Sequence, residues 1–172
     1  METLRSVFWI LAAVRALKMA VFDQGNPVEV RRTSNQSLEG LEELCMHYPI
    51  RKGIISTVIT PGKIINEQLE KLPFPWMKFN HETPIPIKNL YQTPHTLGPD
   101  RLAAVIGAND QEPGRDILVI DAGTCITYDF IDHEGQYWGG NISPGMNMRF
   151  KALHAFTDKL PEVKAGCNIP PY

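Results

Sequence analysis

The sequence predicts an α/β fold, and three observations carry that reading. Short runs with strand character, Met19–Phe22, Val28–Arg32 and Gly53–Ile59, alternate with segments whose apolar residues follow helical spacing. The breakers Pro49, Pro61 and Gly62 fall between these runs. A further run, Ile117–Ile120, stops at Asp121 and a nearby glycine, the pattern of a buried strand that delivers a carboxylate to its C-terminal edge. Strands interleaved with helices in this order pack as α/β layers.

Taken in order, the chain opens on an ambiguous stretch. Arg5 followed by Val7 to Val14 imitates a secretory leader, but Arg15 and Lys18 follow the apolar run at once, and the run is too short to span a bilayer. Met19–Phe22 and Val28–Arg32 form two strands joined by the turn-rich Asp23-Gln24-Gly25-Asn26-Pro27. Ser37 is placed to cap a helix reaching about His47, with Leu38, Leu41, Leu44 and Cys45 on one face and Glu39, Glu42 and Glu43 in its first turns. The strand Gly53–Ile59, a short helix over Asn66–Leu72 and a short strand over Trp76–Phe79 follow.

Residues 80–99 are proline-rich and irregular, and a loop of this length in a compact domain is usually functional or a linker. It leads through Gly98-Pro99-Asp100-Arg101 into a helix beginning Leu102-Ala103-Ala104-Val105. Asp100 there has two readings: a carboxylate accepting backbone N–H bonds at the helix start, or a base beside Arg101 at a helix N-terminus that favours anions. Next comes a hairpin whose strands are Ile117–Ile120 and Thr124–Phe130, with Gly123 at the bend. It reads either as a tight turn with a solvated Asp121, or as a phosphate cradle built from backbone N–H groups, the Thr124 hydroxyl and Asp121. A strand near Gln136–Asn141, the turn Ser143-Pro144-Gly145 and a helix from Met146 to about Lys159 complete the pattern. Three strands and one helix leave a face of this second sheet uncovered.

Composition narrows the function classes. A net charge of −2 and a pI near 6.2 give no basic footprint for nucleic acid. Cys45, Cys125 and Cys167 are odd in number and widely spaced, which fits a reduced, cytoplasmic protein. The five histidines show no helical metal-ligand spacing, so a zinc site is not expected. Neither a P-loop nor a G-x-G-x-x-G is present.

Several motifs together carry a family resemblance: Asp121-Ala-Gly-Thr124, Asp129, Gly139-Gly140-Asn-Ile-Ser-Pro144-Gly145 and Leu153 to Leu160-Pro161, preceded by Asn89-Leu-Tyr91, Gly98-Pro-Asp100-Arg101 and Gly107-Ala108. In this order and spacing, over about residues 18–165, they resemble the type III pantothenate kinases. The resemblance implies a duplicated ribonuclease-H-like fold of the actin, sugar-kinase and Hsp70 superfamily. A first half would cover residues 1–110, and residues 111–172 would begin an incomplete second half. It further implies a homodimer that phosphorylates pantothenate with ATP, Mg2+ and a monovalent cation, K+ or NH4+, in the first committed step of coenzyme A synthesis. No membrane or nucleic-acid partner is expected.

Position by position, the resemblance makes Asp100 the catalytic base. Tyr91, Gly98, Pro99, Asp100 and Arg101 become pantothenate contacts, Thr124 a contact to ATP phosphate and Asp121 the cation ligand. Such an inventory suits phosphoryl transfer, which depends mainly on positioning and charge neutralisation. The chain departs from the family at its start, where the pattern Asp-x-Gly-Asn-Thr-x-x-Lys registers on Lys18 with Leu11 in the Asp position and Ala13-Val14-Arg15 in place of Gly-Asn-Thr. It also stops at Tyr172, ahead of the family's Gly-x-x-Thr region and closing helices. Out of frame, codons for Trp9-Ile10-Leu11-Ala12 can spell Asp-x-Gly or Asp-x-Ser, so a frameshift across about residues 3–17 is one expectation. A non-catalytic remnant and a regulatory protein like the Bvg accessory factor branch are the alternatives to an active kinase.

Overall fold

The computed structural model describes residues 6–12, 17–33, 38–57 and 62–163. The chain packs as two units, Met1–Pro84 with His95–Leu102, and Ile85–Pro94 with Ala103–Tyr172. Residues 85–94 and 103–110, which the sequence groups with the first half, thus pack with the second unit.

The first unit is a five-stranded sheet in the order β3-β2-β1-β4-β5. Its strands are β1 (Ser6–Ala12), β2 (Leu17–Asp23), β3 (Asn26–Thr33), β4 (Ile50–Thr57) and β5 (Trp76–Lys78). β1 lies in the middle, antiparallel to β2 and parallel to β4, and β5 runs parallel to β4. Within the leader-like run, the described residues 6–12 form a strand paired on both sides. β2 and β3 meet in a two-residue turn in which Gln24 and Gly25 both have positive φ, at 49° and 83°. That geometry matches the twist of a tight antiparallel hairpin.

Helix α1 (Leu41–His47) connects β3 to β4, and α2 (Lys63–Glu70) connects β4 to β5. Both supply the apolar layer over the sheet. Leu17, Met19 and Val21 alternate inward along β2 and pack with Leu38, Leu41 and Leu44 near α1, with Ile65 and Leu69 of α2, and with Ile55 and Phe74. The helix expected to be capped at Ser37 begins at Leu41 instead, behind Gly40 at φ 80°. Ser37 itself lies outside the described residues, as do residues 58–61 at the end of the strand expected over 53–59.

The second unit holds a four-stranded sheet in the order β6-β9-β8-β7. β7 (Ile117–Ala122), β8 (Cys125–Ile131) and β9 (Gln136–Pro144) form an antiparallel meander, and β6 (Lys88–Asn89) adds parallel to β9. The proline-rich loop is thus less irregular than its composition suggests: it contains β6 and a 3-10 turn at Pro94–Thr96. Helix α3 (Pro99–Gln111) precedes β7, and α4 (Met146–Ala155) follows β9. On one face of the meander Leu118 pairs with Phe130 and Ile120 with Tyr128; Leu118, Ile120 and Phe130 are all exposed, so β7 is not the buried strand its apolar run predicts. α4 stops at Ala155, short of the expected Lys159, where the Thr157 hydroxyl donates to the Leu153 carbonyl and the His154 ring bonds the Leu160 carbonyl.

Candidate active site

The first group of candidate residues opens α3. Pro99 takes the first helical position, where its missing N–H leaves no bond unmade and its fixed φ suits the helix. The Leu102 N–H reaches the Gly98 carbonyl at 3.3 Å, so Gly98 is the residue from which the helix starts. Asp100 is half-buried, and its Oδ1 accepts the backbone N–H of Arg101 at 2.9 Å. That carboxylate folds back over Gly98: a Cβ built there would sit 2.5 Å from Asp100 Oδ1. Both readings of Asp100 meet in this geometry. It accepts a backbone hydrogen bond at a helix start, and it holds a negative oxygen in a fixed place at the positive end of a helix dipole. Arg101 is buried at 8% exposure, unusual for a guanidinium.

The second group sits at the β7–β8 bend. Asp121 pairs across the hairpin with Thr127 and is exposed. The Gly123 N–H donates to the Cys125 carbonyl at 2.8 Å and closes the bend. The Thr124 carbonyl accepts the Gly145 N–H at 3.0 Å, which ties the bend to the start of α4. Gly145 is required there, because any Cβ would run into the carbonyls of Gly123 and Thr124. At Gly123 itself a Cβ would meet only the Cys125 carbonyl, 3.9 Å away, so the bend is open above its backbone. With the Gly123 N–H taken by Cys125, the bend offers the Thr124 hydroxyl as a donor for a phosphate and carboxylate and carbonyl oxygens for a cation.

Tyr91 belongs to the second unit and follows β6. Its N–H donates to Asn89 Oδ1 at 2.9 Å, and its ring stacks on Tyr137 with centroids 6.3 Å apart and planes at 21°. Tyr137 is fully buried and donates its phenol hydrogen to Asp129 Oδ1 at 2.6 Å. The motif residues Asp129 and Gly139 stood in the sequence without a role, and Gly145 only as part of a turn. What gives each one is a contact made by the folded sheet, which no local pattern reveals. Leu11 lies in β1 opposite Lys18, and Ala13-Val14-Arg15 lie outside the described residues. Among the described residues no cluster of three or more His, Cys, Asp or Glu forms a metal-binding group.

A family model described as Type III pantothenate kinase matches residues 13–170. A protein of that name from Phocaeicola vulgatus is 61% identical over 155 residues, covering 90% of this chain and 64% of its own. Another from Bacteroides fragilis is 57% identical over 153 residues, covering 89% and 63%. The chain therefore spans less than two thirds of the length of these two relatives. Among solved structures, a conserved Baf family protein from Campylobacter jejuni matches with a TM-score of 0.51 at 17% identity, over 96% of this chain and 68% of its own. That likeness is one of fold, and it agrees with the ribonuclease-H-like strand order of the first unit.

Proposed function

The chain belongs to the type III pantothenate kinase family, and on that premise we propose that it is an ATP-dependent pantothenate kinase acting at the start of coenzyme A synthesis. In this reading the γ-phosphoryl group of ATP passes to the terminal hydroxyl of pantothenate. Asp100 takes the hydroxyl proton as the oxygen attacks, and ADP leaves. Gly98, Pro99, Arg101 and Tyr91 hold pantothenate, and Arg101 offsets its negative charge. The observation that carries the reading is the fixed Asp100 carboxylate at the start of α3, folded over a glycine whose side chain would displace it. A base needs that kind of prior placement more than it needs strength.

Thr124 and the open Gly123 bend suit a nucleotide phosphate, and Asp121 with neighbouring backbone oxygens suits a monovalent cation such as K+ or NH4+. When bound, such a cation neutralises charge around the transferred group. Magnesium is different: Leu11 brings no oxygen side chain to β1, so no magnesium ligand is assigned on that strand. The proposal includes the family's homodimer and a cytoplasmic setting. No helix among the described residues is long and apolar enough to cross a membrane.

The leucine at position 11 favours a second reading, a relative that binds pantothenate without transferring phosphate. Substitution of Asp100 separates the two. Asp100→Asn should lower pantothenate-dependent ADP release by about 100- to 10,000-fold while ATP affinity measured by calorimetry stays unchanged. Equal loss of turnover and ATP binding would reject the assignment of Asp100 as base.

A further inference from the structure

We propose that Gly139 and the buried Asp129–Tyr137 pair fix the position of Tyr91, so that Gly139 and Tyr137 are positioning residues for the ring that contacts pantothenate. The role in pantothenate binding rests on the function proposed above; the positioning rests on the second unit alone. Tyr91 follows the two-residue strand β6, which by itself could not hold a side chain in place. It is anchored instead by β9. The Lys88 N–H bonds the Gly135 carbonyl and the Leu90 N–H bonds the Tyr137 carbonyl, each at 2.9 Å, so the backbone on both sides of Asn89 is stitched to that strand.

The ring then has two neighbours on β9. It stacks at 21° on Tyr137, whose phenol bond to the fully buried Asp129 anchors the far end of the supporting ring. It also lies against the bare backbone of Gly139, where an added Cβ would come within 2.8 Å of Tyr91 Cδ2 and 3.1 Å of Cε2. Gly139 is also held at φ 102°, just past a register shift between β8 and β9, a conformation that residues with a Cβ rarely adopt. Two independent requirements, backbone conformation and ring contact, thus converge on one glycine. A tyrosine held in this way presents its hydroxyl with little rotamer freedom left to lose on binding.

The test uses the full chain with fluorotyrosine at its five tyrosines, the Tyr91 resonance being assigned by its absence in Tyr91→Phe. Gly139→Ala and Tyr137→Leu should each shift or broaden the Tyr91 fluorine signal with no ligand present. Tyr137→Phe, which keeps the stacked ring and loses the phenol bond, should perturb it less than Tyr137→Leu. If Gly139→Ala does not fold, the two Tyr137 variants carry the comparison. A Tyr91 signal unmoved in every folded variant overturns the proposal. Calorimetry with pantothenate tests the functional reading separately: Gly139→Ala and Tyr91→Phe should each weaken binding about tenfold, roughly the worth of one hydrogen bond. If the signal moves while pantothenate binds Tyr91→Phe as tightly as wild type, the positioning stands and the assignment of Tyr91 to pantothenate is what fails.

Discussion

A Cβ at Gly98 would sit 2.5 Å from Asp100 Oδ1, so a side chain there displaces the carboxylate. Backbone conformation does not demand glycine there, so the contact alone is tested by Gly98→Ala. The variant should fold normally and turn the Asp100 carboxylate off its present position. Misplacement of a reacting group by about 1 Å can cost on the order of 100-fold in rate, and a loss of that order in kcat is expected with little change in unfolding midpoint. Unchanged kcat would mean that the carboxylate position is immaterial. At this scale the sequence was informative where chemistry and punctuation coincide. Asp100 stands beside a proline at a helix start, and Asp121 stands at the end of an apolar run. Tyr137 carried no such mark. Its meaning comes from stacking on a ring 46 positions earlier and bonding a carboxylate 8 positions earlier, both products of the folded sheet.

The hairpin linking β8 and β9 shows how an element is fastened by its turn. His133 donates its backbone N–H to Asp116 Oδ1 at 2.8 Å, and its ring Nδ1 bonds the same oxygen at 2.9 Å, tying the turn to the residue before β7. Hydrogen bonding to Asp116 raises the His133 pKa above the ordinary 6.5, and the same contact lowers that of Asp116. The signs are opposite. The histidine's contribution is fully present below pH 6.5 and is lost as pH rises through its raised pKa; the aspartate's is present above its ordinary value of 3.8 and is lost as pH falls through its lowered one. An NMR titration should place the His133 midpoint above the ordinary range in the wild type and return it there in Asp116→Asn. Equal midpoints would remove the pairing. Other elements differ in how far the sequence foretold them. The α/β alternation and the glycine bend after β7 were legible because periodicity and breakers are local signals. β1 was ambiguous because an apolar run behind an arginine suits a leader as well as a central strand, and its pairing with β2 and β4 is not written in any local pattern. β6 was hidden because two residues among prolines leave no period to detect.

As a whole molecule, the chain combines a ribonuclease-H-like sheet with a second unit built on a meander, and it belongs to a family whose matched members are longer. The candidate groups are divided between the units: Gly98 to Arg101 in the first, Tyr91 and the Asp121–Thr124 bend in the second. A kinase needs the Asp121–Thr124 bend as well as the proposed pantothenate contacts, whereas a binding protein needs only the latter. The most direct measurement is phosphorus NMR of the chain mixed with ATP, magnesium, potassium and pantothenate. The γ-phosphate signal of ATP is expected to decline as a phosphomonoester signal grows, only when pantothenate is present, and Asp100→Asn is expected to prevent the change. ATP left intact while pantothenate is seen to bind would contradict the kinase reading and leave the non-catalytic one.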